Sequence, residues 1–159
     1  MEKIAIFVDV QNIYYTVKDG LKGQFDYNNF WRKVVSSKCE VVCAYAYAIE
    51  RNIELQMHFQ NILRGIGFEV KLKPFISRND GSSKGDWDVG ITIDMLENAS
   101  KVDRLILLSG DGDFDLLVEK LISKNKTVDV YGVSQLTADS LKRSASHFYP
   151  IDNTYLINR

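Results

Sequence analysis

Short, wholly apolar runs alternate along this chain with longer stretches in which apolar residues recur at helical spacing. Ile4, Ile6, Phe7 and Val8 leave no polar face in residues 3–9, which predicts a buried strand ended by Asp9. Comparable runs predict strands over 40–49, 68–73, 105–108 and 127–131, with a last short one near Phe148. Helical spacing predicts helices over 12–18, 27–36, 52–63, 87–98, 114–123 and 138–145. Their expected inward faces carry Phe30, Trp31, Val34 and Val35 in the second helix and Val89, Ile93 and Leu96 in the fourth, while Ile53, Leu55, Met57, Phe59, Ile62 and Leu63 make the third amphipathic. Residues 20–23 read as a loop, Gly65 and Gly67 as the close of the third helix, and the polar run 77–85 as a flexible loop.

Strands that alternate with helices imply right-handed crossovers and a mostly parallel sheet of about five or six strands, covered on both faces. The expected fold is thus an α/β three-layer sandwich. In such sheets the ligand site lies beyond the carboxyl ends of the strands.

Bulk composition narrows the function. With 159 residues and 45% hydrophobic content, one compact domain spanning 1–159 accounts for the chain. Twenty Lys and Arg against 21 Asp and Glu give a net charge of −1, so any polyanion must be held by a local patch. No apolar run approaches the roughly 20 residues of a membrane span, and no export signal is visible, which predicts a soluble, cytoplasmic protein. Cys39 and Cys43 sit in a valine-rich run without a second pair, which favours reduced, buried thiols over zinc.

The chemistry lies in the aspartates. Asp9 ends the first strand, Asp86 and Asp88 open the fourth helix, and Asp111 and Asp113 follow the apolar run 105–108. Parallel neighbouring strands bring these segments to one sheet edge. Two carboxylates about 4 Å apart repel by roughly 4 kcal/mol at an effective dielectric of about 20 unless a cation or protons offset them. Each aspartate alone also suits a helix cap or turn; the convergence of three segments points instead to a divalent cation. Mg²⁺ or Mn²⁺ suits an all-oxygen site and serves phosphodiester hydrolysis. Asp9, Asp88, Asp111 and Asp113 are the candidate ligands, and Asn12 is placed to orient a water or a carboxylate. Asp94 lies six positions beyond Asp88, about 240° further round the helix, so the two do not share a face.

A basic flank of Lys71, Lys73, Arg78 and Lys84, with Lys142 and Arg143 as another candidate, would grip a phosphate backbone without reading sequence. Tyr14, Tyr15, Trp87 and Phe114 are candidate stacking faces for single-stranded bases. His58 and His147 are isolated, and neither a Ser-His-acid constellation nor a Gly-x-x-x-x-Gly-Lys loop is present.

Residues 7–12 (Phe-Val-Asp-Val-Gln-Asn), 84–89 (Lys-Gly-Asp-Trp-Asp-Val) through Asp94, 109–114 (Ser-Gly-Asp-Gly-Asp-Phe) and 128–132 together resemble the NYN domain, most closely its LabA-like branch within the PIN-like nucleases. The resemblance spans about residues 3 to 150. It implies a Rossmann-like sheet, an acidic pocket for Mg²⁺ or Mn²⁺, and cleavage of RNA. Matched residue by residue, it assigns the acidic positions to Asp9, Asp88, Asp111 and Asp113, an amide to Asn12, a hydroxyl to Ser109, and adds Lys84 and Asp94. Asp86 departs from the pattern as an extra acid, which leaves open whether it or Asp88 faces the metal.

The expected function is a metal-dependent ribonuclease acting on RNA, single-stranded by preference. The alternative is a catalytically silent RNA- or partner-binding regulatory module. A monoester phosphohydrolase is disfavoured, since Asp9 is followed by Val10 and Gln11 rather than by the second acid of an Asp-x-Asp pair. A homodimer is compatible with the sequence, but no segment marks its interface.

Overall fold

The computed structural model describes residues 1–50, 54–74, 76–77, 83–84 and 86–158. In chain order its strands are β1 (Glu2–Asp9), β2 (Cys39–Glu50), β3 (Glu69–Pro74), β4 (Ile76–Ser77), β5 (Ser83–Lys84), β6 (Arg104–Leu108), β7 (Thr127–Gly132) and β8 (His147–Pro150). Its helices are α1 (Val10–Leu21), α2 (Tyr27–Val34), α3 (Glu54–Ile66), α4 (Asp88–Asn98), α5 (Asp115–Ser123) and α6 (Asp139–Ser144). The central sheet has six strands in the order β3-β2-β1-β6-β7-β8, with every neighbouring pair parallel.

Side-chain alternation along the strands builds two cores. Ile4, Ile6 and Val8 of β1 and Ile106 and Leu108 of β6 face one side, where Ile13 and Val17 of α1, Phe30 of α2 and Leu63 of α3 cover them. Ala5, Phe7, Leu105 and Leu107 face the other, beneath Ile91 and Met95 of α4, Val118 and Leu121 of α5, and Leu141 of α6. This is the parallel α/β sandwich anticipated from the strand–helix alternation, with the PIN-like form that the resemblance implied. The chain winds outward from β1 through β2 to β3, then crosses to β6 and winds the other way. The topological switch therefore falls between β1 and β6, the position at which sheets of this kind bind ligands beyond their strand ends.

Several local expectations are corrected. Helix α1 starts directly after Asp9 and runs through Gly20 to Leu21, ending where Lys22 turns left-handed at φ 56°. Gly20 permits close packing rather than a loop, since a Cβ there would lie 2.9 Å from Val133 Cγ1. Helix α3 continues past Gly65 and stops at Gly67, whose φ of +138° suits glycine. It buries Leu63 and Gln60, while Leu55 and Met57 face solvent; Asn52 and Ile53, the expected start of this helix, lie outside the described residues. Helix α4 turns Ile91, Met95 and Asn98 inward and leaves Val89, Ile93 and Leu96 exposed. Both triplets share the spacing i, i+4, i+7, so periodicity did not distinguish them; the anchoring of Trp87, described below, selects the rotation. Within the expected 77–85 loop, β5 pairs antiparallel with β4, Ile76 opposite Lys84 and Ser77 opposite Ser83. Arg78 lies outside the described residues.

The C-terminal segment is docked. Tyr155 O accepts the Asp26 N–H at 2.7 Å and the Ile157 N–H donates to Gln24 O at 2.9 Å, so 155–157 runs antiparallel to the entry of α2. Cys39 and Cys43 are free thiols, half-buried rather than buried. No helix among the described residues is long and apolar enough to cross a membrane.

Candidate functional site

At the switch point, Asp9, Asp88 and Asp111 each present a carboxylate oxygen within 4.8 Å of the other two. They come from three elements: the last residue of β1, the first of α4 and the turn after β6. Val8 pairs with Leu108 in the β1–β6 ladder, which puts Asp9 beside Ser109 at the sheet edge. Capping and clustering are combined here. Asp9 caps α1 by accepting the Asn12 N–H at 3.5 Å, and Asp111 caps the 3-10 turn Gly112–Phe114 by accepting the Asp113 N–H at 2.9 Å.

Ser109 ties two of the carboxylates together. Fully buried, its hydroxyl donates to Asp9 Oδ2 at 3.0 Å and accepts the Asp111 N–H at 3.1 Å. The Ser109 hydroxyl is therefore turned inward to the acids. Asn12 Oδ1 accepts the Gly110 N–H at 2.8 Å and so holds the loop that carries Asp111. Gly110 is packed too tightly for a side chain, since a Cβ would sit 2.8 Å from Leu136 O.

Two of the three carboxylates are crowded and desolvated. Burial pushes Asp9 up to about 6, against the opposing hydrogen bonds of Ser109 and Asn12, and the charges of Asp111 and Asp86 add to the rise. Asp88 is pushed up to about 7, first by burial and then by its contact with Asp111 and the charges of Asp86 and Asp9. Any cation at these oxygens would compete with the protons on Asp9 and Asp88.

Of the pair left open by the sequence, Asp88 enters the cluster. Asp86 is exposed and accepts the Asp88 N–H at 3.2 Å. Between them, Trp87 is an anchor rather than a stacking face. Its Nε1–H donates to Ala48 O at 2.8 Å, its ring packs on Tyr47 at 5.3 Å, and Lys73 Nζ lies 4.6 Å from the ring centroid. Gly90 makes room for the indole, because a Cβ there would meet Trp87 Cε3 at 2.6 Å. Asp94 is engaged elsewhere: the Tyr47 hydroxyl and Lys71 Nζ each donate to its Oδ2 at 2.7 Å. That pairing also withdraws Lys71 from the expected basic flank, while Lys73 donates to Asp86 O at 3.2 Å. The roles of Tyr47 and Trp87 were missed in the sequence, although an aromatic between two acids was a visible signal.

Asp113 is exposed on the 3-10 turn, outside the three-carboxylate cluster. Phe114, an expected stacking face, is core at 1% exposure, whereas Tyr14 and Tyr15 are 53% and 45% exposed. The Lys84 backbone belongs to β5, three residues before Trp87. Lys142 donates to Ser134 Oγ at 3.1 Å and Arg143 is exposed. His147 pairs through Nδ1 with Asp129 at 2.8 Å, and His58 is exposed on α3.

The parallel sandwich with an acidic cluster at its switch point is a PIN-like α/β fold. Residues 3–152 match the NYN domain model, and the chain belongs to the NYN family. Within it the chain is LabA-like. It is 26% identical over 166 residues to "Low amplitude and bright protein LabA" of Synechococcus elongatus, covering 95% of this chain and 84% of that protein. A crystal structure of a protein of unknown function from Vibrio parahaemolyticus, VPA0982, superposes with a TM-score of 0.93 at 56% identity, covering 98% of this chain and 96% of the other.

Proposed function

We propose that this protein is a metal-dependent endoribonuclease that hydrolyses RNA phosphodiester bonds at the acidic cluster, using Mg²⁺ or Mn²⁺. The observation that carries this reading is the convergence of Asp9, Asp88 and Asp111, three hard oxygen donors from three elements, with two of them pushed up toward neutrality by burial and mutual repulsion. Such a donor set fits a small divalent cation and offers no soft ligand for zinc or copper. Membership of a nucleic-acid-related family supports RNA as the substrate.

When bound, the ion would lower the pKa of a coordinated water and offset charge on the phosphoryl oxygens. The chain's own residues do the rest. Asp9, Asp88 and Asp111 hold the ion, and Asp113 is assigned to it through water. Asp94 is given no direct ligand role, because its carboxylate serves Tyr47 and Lys71. Ser109 fixes Asp9 relative to Asp111, and Asn12 fixes the Gly110 turn, so the two carboxylates hold one geometry before the substrate arrives. Lys84 and Arg78, from the segment leading to Asp86, are assigned to the phosphate backbone.

The test is cleavage of a fluorescent single-stranded RNA pool with Mn²⁺, Mg²⁺ or EDTA, wild type against Asp111→Asn. Metal-dependent cutting lost in the variant is the expected result. RNA binding without cutting in any metal would replace the enzyme with a silent RNA-binding module.

A further inference from the structure

Beside the acidic cluster, on the α1 side of the sheet, lies a cavity of about 630 Å³, within the range of small-molecule sites. None of the three clustered aspartates lines it, but the next two residues after Asp9, Val10 and Gln11, do. Tyr27, in its wall, is raised in pKa by burial and also by the charge of Asp9, which places the cavity and the cluster within electrostatic reach of each other. From the wall rise Tyr14 and Tyr15, edge to face at 5.2 Å and about half exposed, with Phe59 opposite on α3. Lys18 supplies the one charge among the described lining residues, its Nζ 5.7 Å from the Tyr14 centroid.

We propose that this cavity is a nucleoside subsite, which receives an unstacked base of the RNA strand next to the phosphate at the acidic cluster. The inference rests on the ribonuclease reading and deepens it. Aromatic faces provide stacking that any base satisfies. The side-chain amides of Gln11, Gln24 and Gln60 each offer donors and an acceptor, as the edge of a base requires. A purely apolar ligand would leave those amides without partners, and among the described lining residues Lys18 favours an anionic group over a cationic one. The strand path follows from continuity: a phosphate at Asp9 puts the neighbouring nucleoside over the first turn of α1.

The experiment uses the full chain carrying Asp111→Asn, so that binding is read without cutting, and a single-stranded RNA oligonucleotide with one internal 2-aminopurine in Mg²⁺. The fluorescence change on binding should weaken about tenfold in affinity when Tyr14→Ala is added, the scale of one lost base stack. Leu55→Trp, at an 81% exposed position on the cavity rim, should likewise weaken it by occupying the opening. Both positions are exposed enough for the melting temperature to stay unchanged. A response equal in all three proteins, or absent in all, overturns the subsite even if wild type cuts RNA. A free 2-aminopurine riboside monophosphate that binds as well as the strand overturns it in favour of a soluble-nucleotide pocket. Loss of cutting in Asp111→Asn is read separately and bears on the ribonuclease reading alone.

Discussion

The side-chain oxygen of Asn12, in the first turn of α1, accepts the backbone N–H of Gly110 at 2.8 Å, across 98 residues of chain. The bond joins the first turn of α1 to the turn after β6, on either side of the topological switch, and it holds the turn that carries Asp111 beside Asp9. Asn12→Ala removes the acceptor and should lower stability by about 1–2 kcal/mol while reducing RNA cutting more than tenfold. Asn12→Asp keeps an acceptor and should recover most of the stability. Urea unfolding and the cleavage assay together check both.

The acids of α4 should separate cleanly. Asp88→Asn removes one of the clustered ligands, so the rise in melting temperature on adding Mn²⁺ should largely vanish. Asp94→Ala should retain that rise. It should nevertheless lower the metal-free stability by about 1–3 kcal/mol, because it strips the Tyr47 hydroxyl and Lys71 of their shared acceptor. Thermal melts with and without Mn²⁺ decide this.

In the ion-free protein, Asp9 at about 6 and Asp88 at about 7 hold protons that the unfolded chain releases near pH 4. Between those values the folded state binds more protons, so stability falls as pH rises toward about 7 and levels off above it. Asp9 alone carries on the order of 3 kcal/mol of this slope. The half-exposed Asp88 contributes less than its shift suggests, because solvent screens it. Urea midpoints in EDTA should therefore drop between pH 5 and pH 8, and the combined Asp9→Asn and Asp88→Asn variant should flatten the profile. Mn²⁺ should stabilise more at pH 8 than at pH 5, where protons compete for the same oxygens.

Gly90→Ala would drive a methyl group into the Trp87 indole at 2.6 Å and so displace the residue between Asp86 and Asp88. The expected outcome is a loss of about 1–3 kcal/mol, typical of overpacking, together with weaker Mn²⁺ binding. Calorimetric titration of Mn²⁺ checks the second effect independently of the first.

Much of this was readable in the chain. Apolar runs as short as residues 4–8 and 105–108 favour strands buried on both faces, and each ends in the acid or hydroxyl that forms the site. Helix orientation was less readable. In α4 the all-apolar triplet Val89, Ile93 and Leu96 competes with Ile91, Met95 and Asn98 at equal spacing, and the second faces inward where Trp87 bonds to Ala48, a contact between residues 39 positions apart.

By itself, then, the sequence determined the parallel sandwich and the acids at its edge, because period and run length are local properties of the chain. The tertiary structure alone decided which acids meet. Asp88 joins Asp9 and Asp111, whereas Asp94, in the next turn but one of the same helix, is drawn to Tyr47 and Lys71 on the neighbouring strands. The physical reason is that a carboxylate's role depends on its nearest charges and donors, which here arrive from elements far apart in the chain. The same holds for the cavity beside the site, whose walls come from α1, α3 and the docked C-terminal segment.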